Sequence, residues 1–154
     1  MAYAVQFAHH VEIDGVPLSC AAWEHLNIHA LYSAPPARGT NRVMPGARGQ
    51  RAVIWRADAT NRSFELVVFG DHHWDGVPNP DPVAGLWENL EHLRAGIVAP
   101  PNNADGTRTA VIKRTGAADL TALIQVRGWE IGESYGNSNV AVNMDVTLLN
   151  GEFT

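Results

Sequence analysis

Between Asn139 and Leu149 the chain alternates strictly: Val140, Val142, Met144, Val146 and Leu148 share one parity, and Ala141, Asn143, Asp145 and Thr147 share the other. Strand side chains project to opposite faces with period two, so the run predicts a β-strand with one core face and one face toward water or a polar partner. SFELVVFG, residues 63–70, places Phe64, Leu66 and Val68 on one side, with apolar Val67 and Phe69 on the other, which predicts a strand covered on both faces. RAVIWRAD, residues 51–58, is similarly rich in β-branched and aromatic residues. The connection between these two runs is short and polar, so an antiparallel pair is expected. WEHLNIHALYS, residues 23–33, alternates more weakly and reads as a further strand, and VEIDGVPLS reads as a hairpin whose Asp14-Gly15 pair supplies the positive φ angles of a tight turn. TAVIKRT and LTALIQVRGWEIGE add two more strands, the second with a bulge or bend at Gly128.

One segment has helical periodicity. In NPDPVAGLWENLEHLRAGI, Asp81 suits the N-cap and Pro82 the first helical position, while Val83, Leu86, Trp87, Leu90 and Leu93 recur at three-and-four spacing as a single buried stripe. Gly96 is placed to end the helix. Gly85 inside it costs about 1 kcal/mol relative to alanine, which implies close packing against a neighbour or a mobile first turn. These elements sum to a mainly β chain of seven or eight strands: an antiparallel β-sandwich or partly closed barrel with one flanking helix over about residues 82–95.

Length and composition narrow the class without changing that picture. The 154 residues suit one domain spanning 1–154, and 45% hydrophobic with 18% charged residues is ordinary for a soluble globular chain. A net charge of -5 argues against nonspecific attraction to nucleic acid over the whole surface. The single cysteine, Cys20, has no partner within the chain and reads as a small buried residue in a reducing compartment. No leader pattern or membrane-length apolar run is evident, so the expectation is a soluble, unprocessed chain with no membrane partner.

Candidate chemistry is sparse. GDHHWDG, residues 70–76, offers Asp71, His72, His73 and Asp75, but adjacent histidines on a strand point to opposite sides and ligate one ion only if the chain turns there. No nucleophile elbow surrounds any serine, and the carboxylate pairs Glu88/Glu91 and Glu130/Glu133 read as exposed charges. The expectation is no enzyme and no cofactor, with a small metal-dependent enzyme or ligand-binding β-barrel at residues 71–75 as the alternative. The basic stretch APPARGTNRVMPGARGQ, residues 34–50, reads as a loop. It lacks the lysine of a phosphate-binding loop, and a strand rather than a helix follows it, so a P-loop or Rossmann reading fails. A nucleic-acid-binding module through the 38–51 Arg/Gly loop is a second alternative. The preferred account is a subunit-contact loop using Arg38, Asn41, Arg42, Arg48 and Arg51, whose planar donor forks match carboxylates and carbonyls.

The order of these features resembles a known group. An N-terminal DG hairpin, a Trp-containing strand, the RGTNRVMPGARG loop with its R-G-x-N-x-x-x-P-G pattern, a strand ending in VVFGD and the GLWENLEHLR helix are similar to the small tail proteins of long noncontractile-tailed actinobacteriophages. The likeness is to the distal tail protein and tail-tube-fold group, and it spans most of the chain. It implies a ring, commonly a hexamer, of head-to-tail protomers around the channel through which DNA leaves the virion. The partners it implies are further copies of the chain and the neighbouring tube and tip proteins, with genomic DNA passing the lumen unbound. The implied location is the virion tail, assembled in the host cytoplasm. An acidic lumen would repel the DNA backbone during passage.

Overall fold

The computed structural model describes residues 3–5, 9–26, 31, 37–43, 50–57, 59–99, 106–150 and 153–154, with the backbone alone for 37–43 and 50–57. Its strands are β1 (His10–Ile13), β2 (Val16–Pro17), β3 (Trp23–Leu26), β4 (Ala37–Val43), β5 (Gln50–Ala57), β6 (Thr60–Phe69), β7 (Arg108–Lys113), β8 (Leu120–Ser134) and β9 (Asn139–Leu148). The helix α1 (Pro82–Ile97) separates β6 from β7. Seven strands form one antiparallel sheet in the order β2-β1-β7-β8-β9-β6-β3, while β4 and β5 pair as a separate two-stranded ribbon. The sheet curls into a half-barrel with one helix, the partly closed barrel rather than a stack of two sheets.

The curl follows from contacts across the sheet. β2 and β3 lie at its two ends, yet the Trp23 indole donates to the Pro17 carbonyl at 2.8 Å and joins them through a side chain instead of a ladder. α1 packs on both β2 and β6, so it lies over the concave side between the two ends. Its buried positions are Gly85, Leu86, Asn89, Leu90, Leu93 and Ile97. They meet a core in which Trp23, Leu66, Val68, Val142, Met144 and Leu148 are fully buried. Burying each large apolar side chain contributes about 1.5–3 kcal/mol, so the stripe of four aliphatic residues on α1 is a main reason the helix holds there. Among the described residues no helix is long and apolar enough to cross a membrane.

Most periodic readings hold. The apolar parity of β9 is buried from Val140 through Leu148, and Asn143 and Asp145 on the other parity are exposed. The first hairpin turns at Asp14 (φ 49) and Gly15 (φ 82), and the register of β8 against β9 shifts between Val126 and Gly128 as a bulge there requires. Asp81 caps α1 by accepting from the Ala84 amide at 3.3 Å.

Other expectations are corrected. β5 does not pair with β6: β6 already has β9 along its whole length and β3 along its second half, and a strand has only two edges. The helical stripe is rotated, with Trp87 66% and Val83 46% exposed while Gly85 and Asn89 face inward. Asn89 is tolerated there because its Nδ2 donates to the carbonyls of Phe69 at 2.7 Å and His72 at 2.9 Å, fixing the turn after β6. Gly96 does not end the helix, which runs to Ile97 and is capped by Val98; it sits where a Cβ would lie 3.0 Å from Val16 Cγ2. Val67 and Phe69 are half-buried, so the outer side of β6 is only partly covered. The part of the predicted strand beyond Leu26 lies outside the described residues, apart from Leu31.

Candidate functional site

The residues assigned to subunit contact do not sit together in one loop. Arg38, Asn41 and Arg42 lie on strand β4 and Arg51 on β5, whereas Arg48 lies outside the described residues. Proline and glycine punctuation suggested a loop, but Pro36 precedes the strand and Pro45 follows it, and the polar run between them pairs with the β-branched run of β5. The register sets Arg42 directly opposite Arg51 and Arg38 opposite Arg56. Arginine stands at both positions of these two register pairs and no residue of 37–57 is acidic, so the ribbon segment is formally basic.

At the end of β6 the chain turns through residues 70–81 into α1, and Gly70 and Gly85 pack backbone on backbone. A Cβ at Gly70 would lie 1.8 Å from the Pro82 carbonyl oxygen, and one at Gly85 would lie 2.3 Å from the Gly70 oxygen. Within this turn Asp71 and His72 pair at 3.3 Å, and His73 approaches Glu88 at 3.8 Å. The proposed ligands Asp71, His72, His73 and Asp75 do not converge: among the described residues no group of three or more His, Cys, Asp or Glu side chains is arranged to hold a metal ion.

The turn does build an aromatic stack that the sequence reading missed. Trp74 lies flat on His92 with ring centroids 3.7 Å apart and planes 8° from parallel. Trp23 flanks the same imidazole at 6.2 Å, and the Tyr3 hydroxyl meets its Nε2 at 2.8 Å. The Ala4 amide donates to the Trp74 carbonyl at 2.8 Å, so the N-terminal segment is clasped to the helix at this point. Burial raises the Tyr3 phenol above its ordinary value and lowers the His92 imidazole, the latter opposed by Glu88, and both groups are therefore neutral near pH 7. Burial likewise raises the Cys20 thiol, which keeps that side chain unreactive.

The linkage has a defined sign. The folded state resists protonating His92, so as pH falls below the ordinary value of 6.5 the unfolded chain takes up the proton first. Stability declines from 6.5 downward until the folded-state ring titrates, and this loss is absent above 6.5. Between about pH 7 and about pH 5, the wild-type urea midpoint is expected to fall further than that of His92→Phe, which keeps an aromatic ring against Trp74. Parallel midpoint curves for the two proteins would remove His92 from the account.

A third feature is the polar face of β6, β8 and β9. Ser63 donates to Asp145 Oδ1 at 2.5 Å, Thr147 donates to Asn61 Oδ1 at 2.7 Å, and Arg127 stands on the bulge beside a shallow cleft of about 220 Å³. These pairs join β6 to β9 across the outer face and leave the cleft small and open. Next to it runs the longest stretch of sheet edge that no described strand pairs. β8 is paired with β7 over Leu120–Ile124 and with β9 from Ile124 to Ser134, so among the described residues nothing pairs with its other edge over 126–134. Ile131 and Tyr135, at and just beyond the end of this edge, are each 49% exposed.

No family model and no curated protein matches the chain.

Proposed function

We propose that the chain is a structural virion protein, a ring-forming component of a phage tail that surrounds the DNA exit channel and acts without catalysis. The observation that carries this reading is the open edge of β8 over residues 126–134. An edge of that length presents a row of unpaired amides and carbonyls, which a monomeric sheet covers or blunts and an assembling one uses to add a strand from its neighbour. Arg127, Glu130 and Glu133 along the edge supply charges that set the register of such an addition. Trp23 and α1 bridge the two ends of the half-barrel, and among the described residues the edge of β8 is the long one left for a second copy. The adaptor position between tube and tip comes from the sequence resemblance.

The test is direct imaging of the purified chain by negative-stain electron microscopy, with mass measured in parallel. Rings with a central channel are expected, and replacing Val126 or Ile131 by proline, which removes a donor from the open edge and leaves the β8–β9 ladder intact, is expected to abolish them while the variants stay folded. A protein that remains monomeric at assembly-like concentrations, alone and with tail partners, would sink the proposal.

A further inference from the structure

Charge in this chain is segregated by segment. Residues 37–57, which include both strands of the ribbon, hold five arginines and no acidic residue. Residues 71–91, the turn after β6 and most of α1, hold five acidic residues and neither lysine nor arginine. Of the 11 basic and 16 acidic residues in the chain, these two segments take nearly half of one sign and about a third of the other, with no mixing.

The acidic segment is a surface. Asp71, Asp75, Asp81, Glu88 and Glu91 are all exposed. Val83, Trp87 and Glu91 follow one another at four-residue spacing along α1, and Glu88 adjoins Trp87. The turn carrying Asp71 and Asp75 is held at the start of the helix by the Gly70–Gly85 contact, by Asn89 on the His72 carbonyl and by the His73–Glu88 approach. Val77 in the turn is 54% exposed, Val83 46% and Trp87 66%. The result is an apolar centre with an acidic border, the arrangement of an interface hot spot with an exposed tryptophan as its anchor. Arg94, one turn beyond Glu91, is the first basic residue at its border.

We infer that this acidic helix face docks the arginine ribbon of a second copy of the chain. The inference rests on the self-assembly reading and supplies one of its contacts. The two surfaces differ, so the contact is head-to-tail and propagates around a ring instead of closing a two-fold pair. Trp87 offers its ring face to a guanidinium, and Glu88 and Glu91 offer carboxylates to the arginine forks. A polyanion would satisfy the same arginines, but it leaves the acidic face and its exposed tryptophan unexplained.

The experiment is sedimentation analysis of the full chain with two charge reversals. Glu88→Lys/Glu91→Lys and Arg42→Glu/Arg51→Glu are each expected to weaken self-association by roughly tenfold or more, and wild-type association is expected to weaken as salt rises. Mixing the two variants one to one is expected to restore assembly, because each reversed surface then meets its complement on the other chain. Circular dichroism and urea midpoints check folding. Wild-type assembly that persists through both reversals would overturn this pairing and leave the assembly reading standing, whereas a wild-type chain that never associates would overturn both. Failure of the mixture to rescue assembly would also overturn the pairing. So would loss of binding to a mixed-sequence DNA duplex on reversing the arginines with self-association intact, which would assign the ribbon to nucleic acid.

Discussion

Gly70→Ala is expected to unfold the chain or leave it barely stable, with a loss of about 3 kcal/mol or more in urea denaturation. The added methyl would lie 1.8 Å from the Pro82 carbonyl oxygen and 2.8 Å from the Leu86 amide nitrogen, far inside van der Waals contact. Both obstacles are backbone atoms of the first turn of α1, so no side-chain rotamer relieves them. The helix must lift from β6, which exposes Leu86 and Leu90 and strains the two hydrogen bonds that Asn89 makes to the turn. Gly85→Ala attacks the same contact from the other side, 2.3 Å from the Gly70 oxygen and 2.5 Å from Asn79 Nδ2. Its gain of about 1 kcal/mol in helix propensity offsets only part of that loss. Because the two glycines share one interface, the double variant is expected to lose less than the sum of the single losses. Full stability of Gly70→Ala would mean that helix and strand do not meet as described. The acidic face would then lose the contact that orders it.

The sequence exposed those features whose cause is local. Alternation along β9, the Asp14-Gly15 turn, the Asp81 cap and the unusual Gly85 each depend on residues within a few positions of one another, and period or turn chemistry reveals them. What it hid depends on distance. The buried side of α1 was misplaced by a fraction of a turn because Asn89 counts as polar in any periodic pattern, while its two carbonyl partners lie 17 and 20 residues away. Trp87 counted as core for the converse reason. Adjacency in the chain favours β6 as the partner of β5, although β9, some 80 residues later, takes that edge. Arg38 to Val43 read as loop because glycine and proline flank it, while Thr40 and the alternating arginines are equally compatible with a polar strand whose partner alone decides the matter. Charge is legible without any structure: an all-basic segment is followed by an all-acidic one.

Arg108→Ala is expected to cost about 3 kcal/mol, the second large effect in the chain. This arginine, 7% exposed, begins β7 and ties three elements that the sequence leaves far apart. Its Nη1 donates to Asp14 Oδ2 at 2.8 Å and to the Gly96 carbonyl at 2.8 Å, and its Nη2 donates to the Ala99 carbonyl. Asp14 in turn accepts from the Thr109 amide through Oδ1 at 2.9 Å, so one guanidinium holds the first hairpin turn against the C-terminal end of α1. A cation at that end also opposes the helix dipole. Truncation leaves a partly buried carboxylate and two carbonyls without their donor, a penalty larger than the net worth of the intact bonds. Arg108→Lys keeps the charge but cannot serve three acceptors from a single ammonium in the same geometry, so it is expected to recover less than half of the loss. Asp14→Asn preserves the positive-φ turn and isolates the ion pair. In a cycle with Arg108→Ala, a coupling of about 1.5 kcal/mol or more is expected if the pair acts as a unit. Additive losses would mean that Arg108 acts through the helix carbonyls alone. In that case the hairpin and the helix are held independently, and Arg108→Ala would loosen the end of α1 remote from Gly70 while leaving the β1–β2 turn in place.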